Sequence, residues 1–134
     1  MIVILCLDDK KGMMFNNRRQ SKDKFVIQDI LKLVDGKKLL ISSYSESLFQ
    51  GLESKLIIDD NFLNNAAEED YCFVENNNLK DFSEKIEKII VYKWNRIYPS
   101  DLKLEITIQD WNLIDRFEFV GNSHDKITRE VYVK

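Results

Sequence analysis

Lys88-Ile89-Ile90-Val91-Tyr92-Lys93-Trp94-Asn95-Arg96-Ile97-Tyr98 holds an unbroken apolar run within a strand from Lys88 to Tyr92 and closes in polar and aromatic residues. A run without alternation reads as a strand covered on both faces, the kind found inside parallel sheets. Ile2 to Leu7 has the same character and stops at the turn Asp8-Asp9-Lys10-Lys11-Gly12. Between these two runs lie the makings of βαβ units. Ser21 can cap a helix in which Ile27, Ile30, Leu31 and Val34 keep helical spacing, and Asp35-Gly36 ends it. Lys38 to Ser42 reads as a strand, the Ser-rich stretch 42 to 47 starts a short helix reaching Phe49 or Gln50, and Gly51 closes it. Strands also fit Lys55 to Ile58 and Tyr71 to Val74, and a helix capped near Asn78 fits Leu79, Phe82 and Ile86.

Beyond Tyr98 the pattern changes. Leu104, Ile106 and Ile108 alternate with polar residues as in a half-exposed strand. Trp111, Leu113, Phe117 and Phe119 share one parity, broken by Asp115, and Ile127, Val131 and Val133 answer them across Gly121-Asn122-Ser123-His124-Asp125. The expectation is one α/β domain over residues 1–134, three-layered, with a mixed and mostly parallel sheet, flanking helices and a C-terminal antiparallel hairpin.

Composition narrows the function classes. The 134 residues are 44% hydrophobic, enough for one core, and 20 Lys and Arg against 23 Asp and Glu leave a net charge of −3. There is no strong nucleic-acid signature, so any such contact would be local. No apolar run has the length of a membrane span or a secretory leader, and a cytoplasmic protein is expected. Cys6 and Cys72 lie in apolar runs and read as buried thiols; with a single His124 they cannot supply a zinc site. His124 itself reads as a turn residue.

The order of these segments resembles dihydrofolate reductase. Strand 1, the helix at 21 to 34, Lys-Leu-Leu-Ile-Ser and Ser-Tyr-Ser-Glu-Ser-Leu follow that family's order, and Arg96-Ile97-Tyr98 matches its Arg-Val-Tyr. The resemblance implies its fold. Where the family has Gly-Gly, however, this chain has Lys93, Trp94 and Asn95, and an indole there should block a dinucleotide from reaching bare backbone. The Arg-x-Thr that holds a 2′-phosphate becomes Ser43-Tyr44-Ser45, and Asp23 stands near the pterin-binding acid without its Trp and Pro neighbours. The resemblance thus implies a scaffold without the reductase chemistry: no cofactor is expected, and NADPH is disfavoured. Cys6-Leu7-Asp8-Asp9 with the Gly12 to Ser21 segment also resembles a family of small bacterial proteins, some bearing the name ribonuclease Z. Ribonuclease Z needs several histidines for two zinc ions, and this chain has one.

Asn16-Asn17-Arg18-Arg19-Gln20-Ser21-Lys22-Asp23 is a polar block before a helix N-terminus, rich in donors for an anion. Arg18 and Arg19 are the first ligand-contact candidates, with Asn16, Asn17, Gln20, Ser21, Asp23, Ser43, Ser45, Lys93, Trp94 and Arg96 beside them. The expected ligand is small and anionic or nucleotide-like. Other readings are a divergent NAD(P)H reductase, a Mg²⁺-dependent phosphoesterase or ribonuclease using Asp8, Asp9, Asp59 and Asp60, and a protein-interaction module. Asp pairs at strand ends also serve as turn formers and helix caps.

Overall fold

The computed structural model describes residues 1–134. Its centre is β1 (Ile2–Leu7), whose continuous apolar run is explained by pairing on both sides and burial on both faces. β2 (Gly12–Phe15) and β3 (Arg18–Arg19) form a tight hairpin, and α1 (Lys24–Val34) follows. β4 (Leu39–Ile41) leads into a 3₁₀ helix over Ser43–Phe49, then β5 (Leu56–Ile58), the single turn α2 (Phe62–Asn65) and β6 (Tyr71–Phe73). β7 (Lys88–Lys93), the short β8 (Leu102–Lys103), β9 (Asn112–Phe119) and β10 (Ile127–Val133) complete the chain.

Seven strands form one sheet in the order β5-β4-β6-β1-β7-β10-β9. The first five run parallel, and β10 is antiparallel to both β7 and β9. β3-β2-β8 make a smaller sheet. The pleat of β1 sorts the core into two layers. Val3, Leu5 and Leu7 face α2, the methionines of β2 and Leu104, Ile106 and Ile108; Ile2 and Ile4 face α1 through Val26, Ile30 and Val34. Cys6 and Trp94 share the α1 face, while Lys93, one residue earlier, belongs to the opposite one. Both cysteines are free thiols.

Several expectations are corrected. α1 is capped by Asp23, not Ser21, because the Asp23 carboxylate accepts from the Phe25 N–H at 2.9 Å. The helix ends where expected, at Asp35 in the left-handed region, with Gly36 also at positive φ. The segment at 79 to 86 holds only a 3₁₀ turn, Lys80–Phe82. Leu79 and Ile86 are buried from irregular backbone, and the Lys85 ammonium is drawn away to the carbonyls of Leu63 and Asn64 at 2.7 and 2.9 Å. Leu104, Ile106 and Ile108 do alternate in burial, but beyond β8 their backbone is bend and 3₁₀ turn rather than strand.

The shared parity of Trp111, Leu113, Phe117 and Phe119 fails as well. Asp115 pairs with Val131 but Leu113 pairs with Tyr132, so Ile114 is an extra residue in a bulge. The extra residue switches faces: Phe119 packs on the α1 side, and Trp111 packs with Tyr132 on the other.

Candidate functional site

The polar block between β2 and α1 does not act as one loop. Asn16 and Asn17 both have positive φ, 52° and 59°, and join β2 to β3 as the two central residues of a type I′ turn. Arg18 and Arg19 follow on β3. Strand alternation separates them, leaving Arg18 exposed and folding Arg19 inward.

Arg19 is held by a carboxylate that sequence reading overlooked. Its Nε and Nη2 donate to Glu75 at 2.8 and 3.1 Å, a bidentate pair, and its guanidinium lies 4.8 Å from the Tyr44 ring centroid. The Ser45 hydroxyl donates to the same carboxylate at 2.8 Å. The hydrogen bond to Glu75, ahead of the opposing effect of burial, raises the Arg19 pKa further. Glu75 follows β6, so the rule that functional groups gather at the carboxyl ends of parallel strands would have found it.

A second network centres on Asp23 and His124, both buried. Beyond capping α1, Asp23 accepts through Oδ2 from the Ser123 N–H at 2.9 Å and the Ser123 hydroxyl at 3.1 Å. Burial works to raise the Asp23 pKa, but the N–H groups of Ser123, Asn122 and Phe25 outweigh it and hold the carboxyl below its usual range. Backbone passes so close that a Cβ on Gly121 would lie 2.3 Å from Asp23 Oδ2. His124 is therefore more than a turn residue: its ring stacks on Trp94 at 4.6 Å, 22° from parallel. Its Nε2 lies 2.9 Å from the Tyr98 hydroxyl and its Nδ1 2.8 Å from Ser123 Oγ. The single Ser123 proton is directed to the Lys22 carbonyl and the Asp23 carboxylate, so Nδ1–H donates to Ser123 and Nε2 accepts from Tyr98. Burial, partly opposed by Asp23, keeps its pKa below the usual histidine value, which favours this neutral form of the ring.

Between these networks lies a cavity of about 20 Å³ lined by Cys6, Asp23, Val26, Phe73, Glu75 and Trp94, the space of one water molecule. Burial, with Glu75 and Asp23 nearby, raises the Cys6 pKa far above that of a reactive thiol. Outside it runs an open groove of about 1170 Å³ between β3, the start of α1, the 43–49 helix and the Asn122–Ser123 turn. Arg18, Lys22 and Lys24 line this groove and form no ion pair; Tyr44, Ser47, Gln50 and Asn122 are among its other polar groups, and the internally bonded Asp23 borders it too.

Of the remaining sequence candidates, most lie elsewhere. Gln20 donates to Asp8 Oδ2 and the Pro99 carbonyl, tying the end of β1 to the 98–100 segment. Ser21 lines both concavities, and Ser43 donates to Asp60 through its N–H and hydroxyl. Lys93 is 3.4 Å from the buried Glu130 on the opposite face. Arg96 is exposed and lines neither concavity. The start of α1 offers less to an anion than its sequence suggests, since the Lys24 and Phe25 N–H groups are taken by Asn122 and Asp23.

Nor do the acid pairs converge. Asp8 accepts from the N–H groups of Lys10, Gly12 and Tyr98, and Asp59 from Asn61 and Asn65. They extend from β1 and β5, three places apart in the sheet and so about 14 Å at usual strand spacing. No group of three or more His, Cys, Asp or Glu side chains is arranged to hold a metal ion.

A parallel sheet closed by an antiparallel hairpin, with α1 and the site at the carboxyl ends of β1, β6 and β7, is the dihydrofolate reductase-like α/β fold. A solved structure of dihydrofolate reductase from Enterococcus faecalis, complexed with NADP(H) and RAB-propyl, superposes with a TM-score of 0.66 over 98% of this chain and 94% of that one, at 9% identity. At that identity the likeness is one of fold. No protein-family model matches the sequence, and no curated protein matches it.

Proposed function

We propose that this chain is a non-redox domain on the dihydrofolate reductase-like scaffold, binding a small anionic or nucleotide-like ligand in the outer groove. The observation that carries the reading is the set of three unpaired cations, Arg18, Lys22 and Lys24, over one groove. Cations free of carboxylates retain their charge for a ligand, whereas Arg19 has already spent its fork on Glu75.

The inner cavity speaks against the reductase alternative. The NADP(H) bound by the E. faecalis enzyme would need an open cleft, and ligand pockets run to about 300–1,000 Å³. Here Trp94 is 4% exposed and stacked on His124 where the resemblance expects glycines, and Asp23 has both oxygens engaged. These residues do not fit the dinucleotide. No helix is long and apolar enough to cross a membrane, and a cytoplasmic setting is part of the proposal.

The test is calorimetric titration of ADP and of NADPH into the wild-type chain and into Arg18→Ala/Lys22→Ala. ADP should bind the wild type and lose about tenfold or more in the double variant, as charge-assisted contacts of about 1.5 kcal/mol are removed. Saturable NADPH binding that the double variant leaves intact would refute the reading.

A further inference from the structure

β9 ends the seven-stranded sheet, so one side of Asn112–Phe119 carries unpaired backbone N–H and C=O groups. The opposite edge, β5, is only three residues long. β9 is also unusually apolar for an edge. Leu113, Ile114 and Phe117 are 48%, 56% and 50% exposed, and Val120 just beyond them is 71% exposed. Asp115, Arg116 and Glu118 are interspersed among them; Arg116 and Glu118 stay more than two-fifths exposed beside long intrachain contacts, Arg116 to Glu130 at 3.7 Å and Glu118 to Lys126 at 3.4 Å.

The order of those charges is self-complementary in one register. Two copies of a strand paired antiparallel are related by a dyad normal to the sheet, and the pleat then obliges one residue to face its own copy. Centring the pair on Asp115, Arg116 or Glu118 sets a charge against itself, which costs stability. Centring it further back runs into the bulge at Ile114. Centring it on Phe117 does neither. Phe117 then meets Phe117 of the second copy, Arg116 lies opposite Glu118 and Glu118 opposite Arg116, and Ile114 falls beside Val120. The two ion pairs sit on one face of the joined sheet and the phenylalanines on the other, because the pleat alternates through this regular stretch, with Arg116 and Glu118 across from Glu130 and Thr128 and Phe117 across from Arg129.

We infer that this chain forms a symmetric dimer through β9, two copies pairing antiparallel about Phe117 so that their seven-stranded sheets run on as one. The occupant of the edge is a second copy, because the charge order that opposes centring on Asp115, Arg116 or Glu118 is satisfied about Phe117 by the chain's own sequence read backwards.

Sedimentation equilibrium from about 1 to 500 µM tests this, with a dimer Kd below about 100 µM expected for so small an edge contact. Arg116→Glu and Glu118→Arg should each weaken the dimer about tenfold, since each places like charges opposite one another at two symmetric positions. The double exchange Arg116→Glu/Glu118→Arg should dimerise more tightly than either single, recovering the pairing across the dyad though not the intrachain contacts with Glu130 and Lys126. Thermal melts of the singles guard against loss of fold, and Phe117→Cys gives an independent readout. Facing Cα atoms of an antiparallel pair are near disulfide distance, so mild oxidation should yield a covalent dimer at that position. A wild-type chain that stays monomeric over the whole range overturns the inference, as does a double exchange that dimerises no more tightly than either single.

Discussion

The inner cavity and the outer groove lie on either side of Asp23, and they differ in one respect above others. Inside, the charged and polar groups have partners within the protein: Glu75 holds Arg19 and Ser45, Asp23 holds Ser123, and His124 bridges Tyr98 and Ser123. Outside, Arg18, Lys22 and Lys24 meet no carboxylate, and Lys24 has only the Phe25 ring, 5.4 Å from its ammonium. A polar group satisfied internally contributes to folding and is costly to disturb; an unpaired surface cation contributes little to folding and remains available to a ligand. The inner groups are thus committed to the fold, and the proposed ligand site lies outward.

Substitutions should affect the two regions differently, most of all the inner one. Trp94→Ala removes a buried indole and its stack on His124, and should cost about 3–5 kcal/mol in denaturant unfolding. If the account is right, ADP binding measured under folding conditions should survive it. Asp23→Ala strips α1 of its cap and leaves Ser123 without its acceptor, so a loss of about 2–4 kcal/mol is expected. Gly121→Ala should cost about 1–3 kcal/mol, since the added methyl would collide with Asp23 Oδ2.

Titration sharpens the contrast by a smaller amount. His124 is held neutral in the folded state with its pKa lowered from 6.5, so the unfolded chain takes up a proton first as pH falls. The stability contributed by neutral His124 is present above pH 6.5 and is lost as pH drops below it, while Asp23 and Asp8, both lowered from 3.8, retain theirs until stronger acid. Tm should therefore decline between pH 7.5 and 5.5, and His124→Asn should flatten that decline; a slope unchanged by the substitution would show that His124 is not the titrating group. The smallest stability effect belongs to Arg18→Ala, within about 0.5 kcal/mol of wild type, despite its predicted loss of ligand affinity.

Sequence alone carried the sheet well because its strongest signals are local. Ile2 to Leu7 and Lys88 to Tyr92 could be read as core strands, and Asp35-Gly36 as a helix stop, from a few adjacent residues. The site was less legible because it is assembled across long separations. Asp23 rather than Ser21 caps α1 because Ser123, a hundred residues away, fixes its second oxygen. Arg19 turned from ligand contact to internal tie because Glu75, 56 positions on, reaches it. Asn16 and Asn17 were readable as a type I′ turn from their residue types, yet stood within a polar run that suggested binding. The parity of β9 was lost to one inserted residue, which periodicity cannot locate.

The most direct test of the outer-groove account is an amide ¹H–¹⁵N titration of the wild-type chain with ADP. The account predicts saturable shifts confined to residues 18–24, 44–50 and 122–123, with the amides of Cys6, Val74 and Trp94 unmoved. Shifts centred on Cys6, Val74 and Trp94, or none anywhere at millimolar ADP, would contradict it.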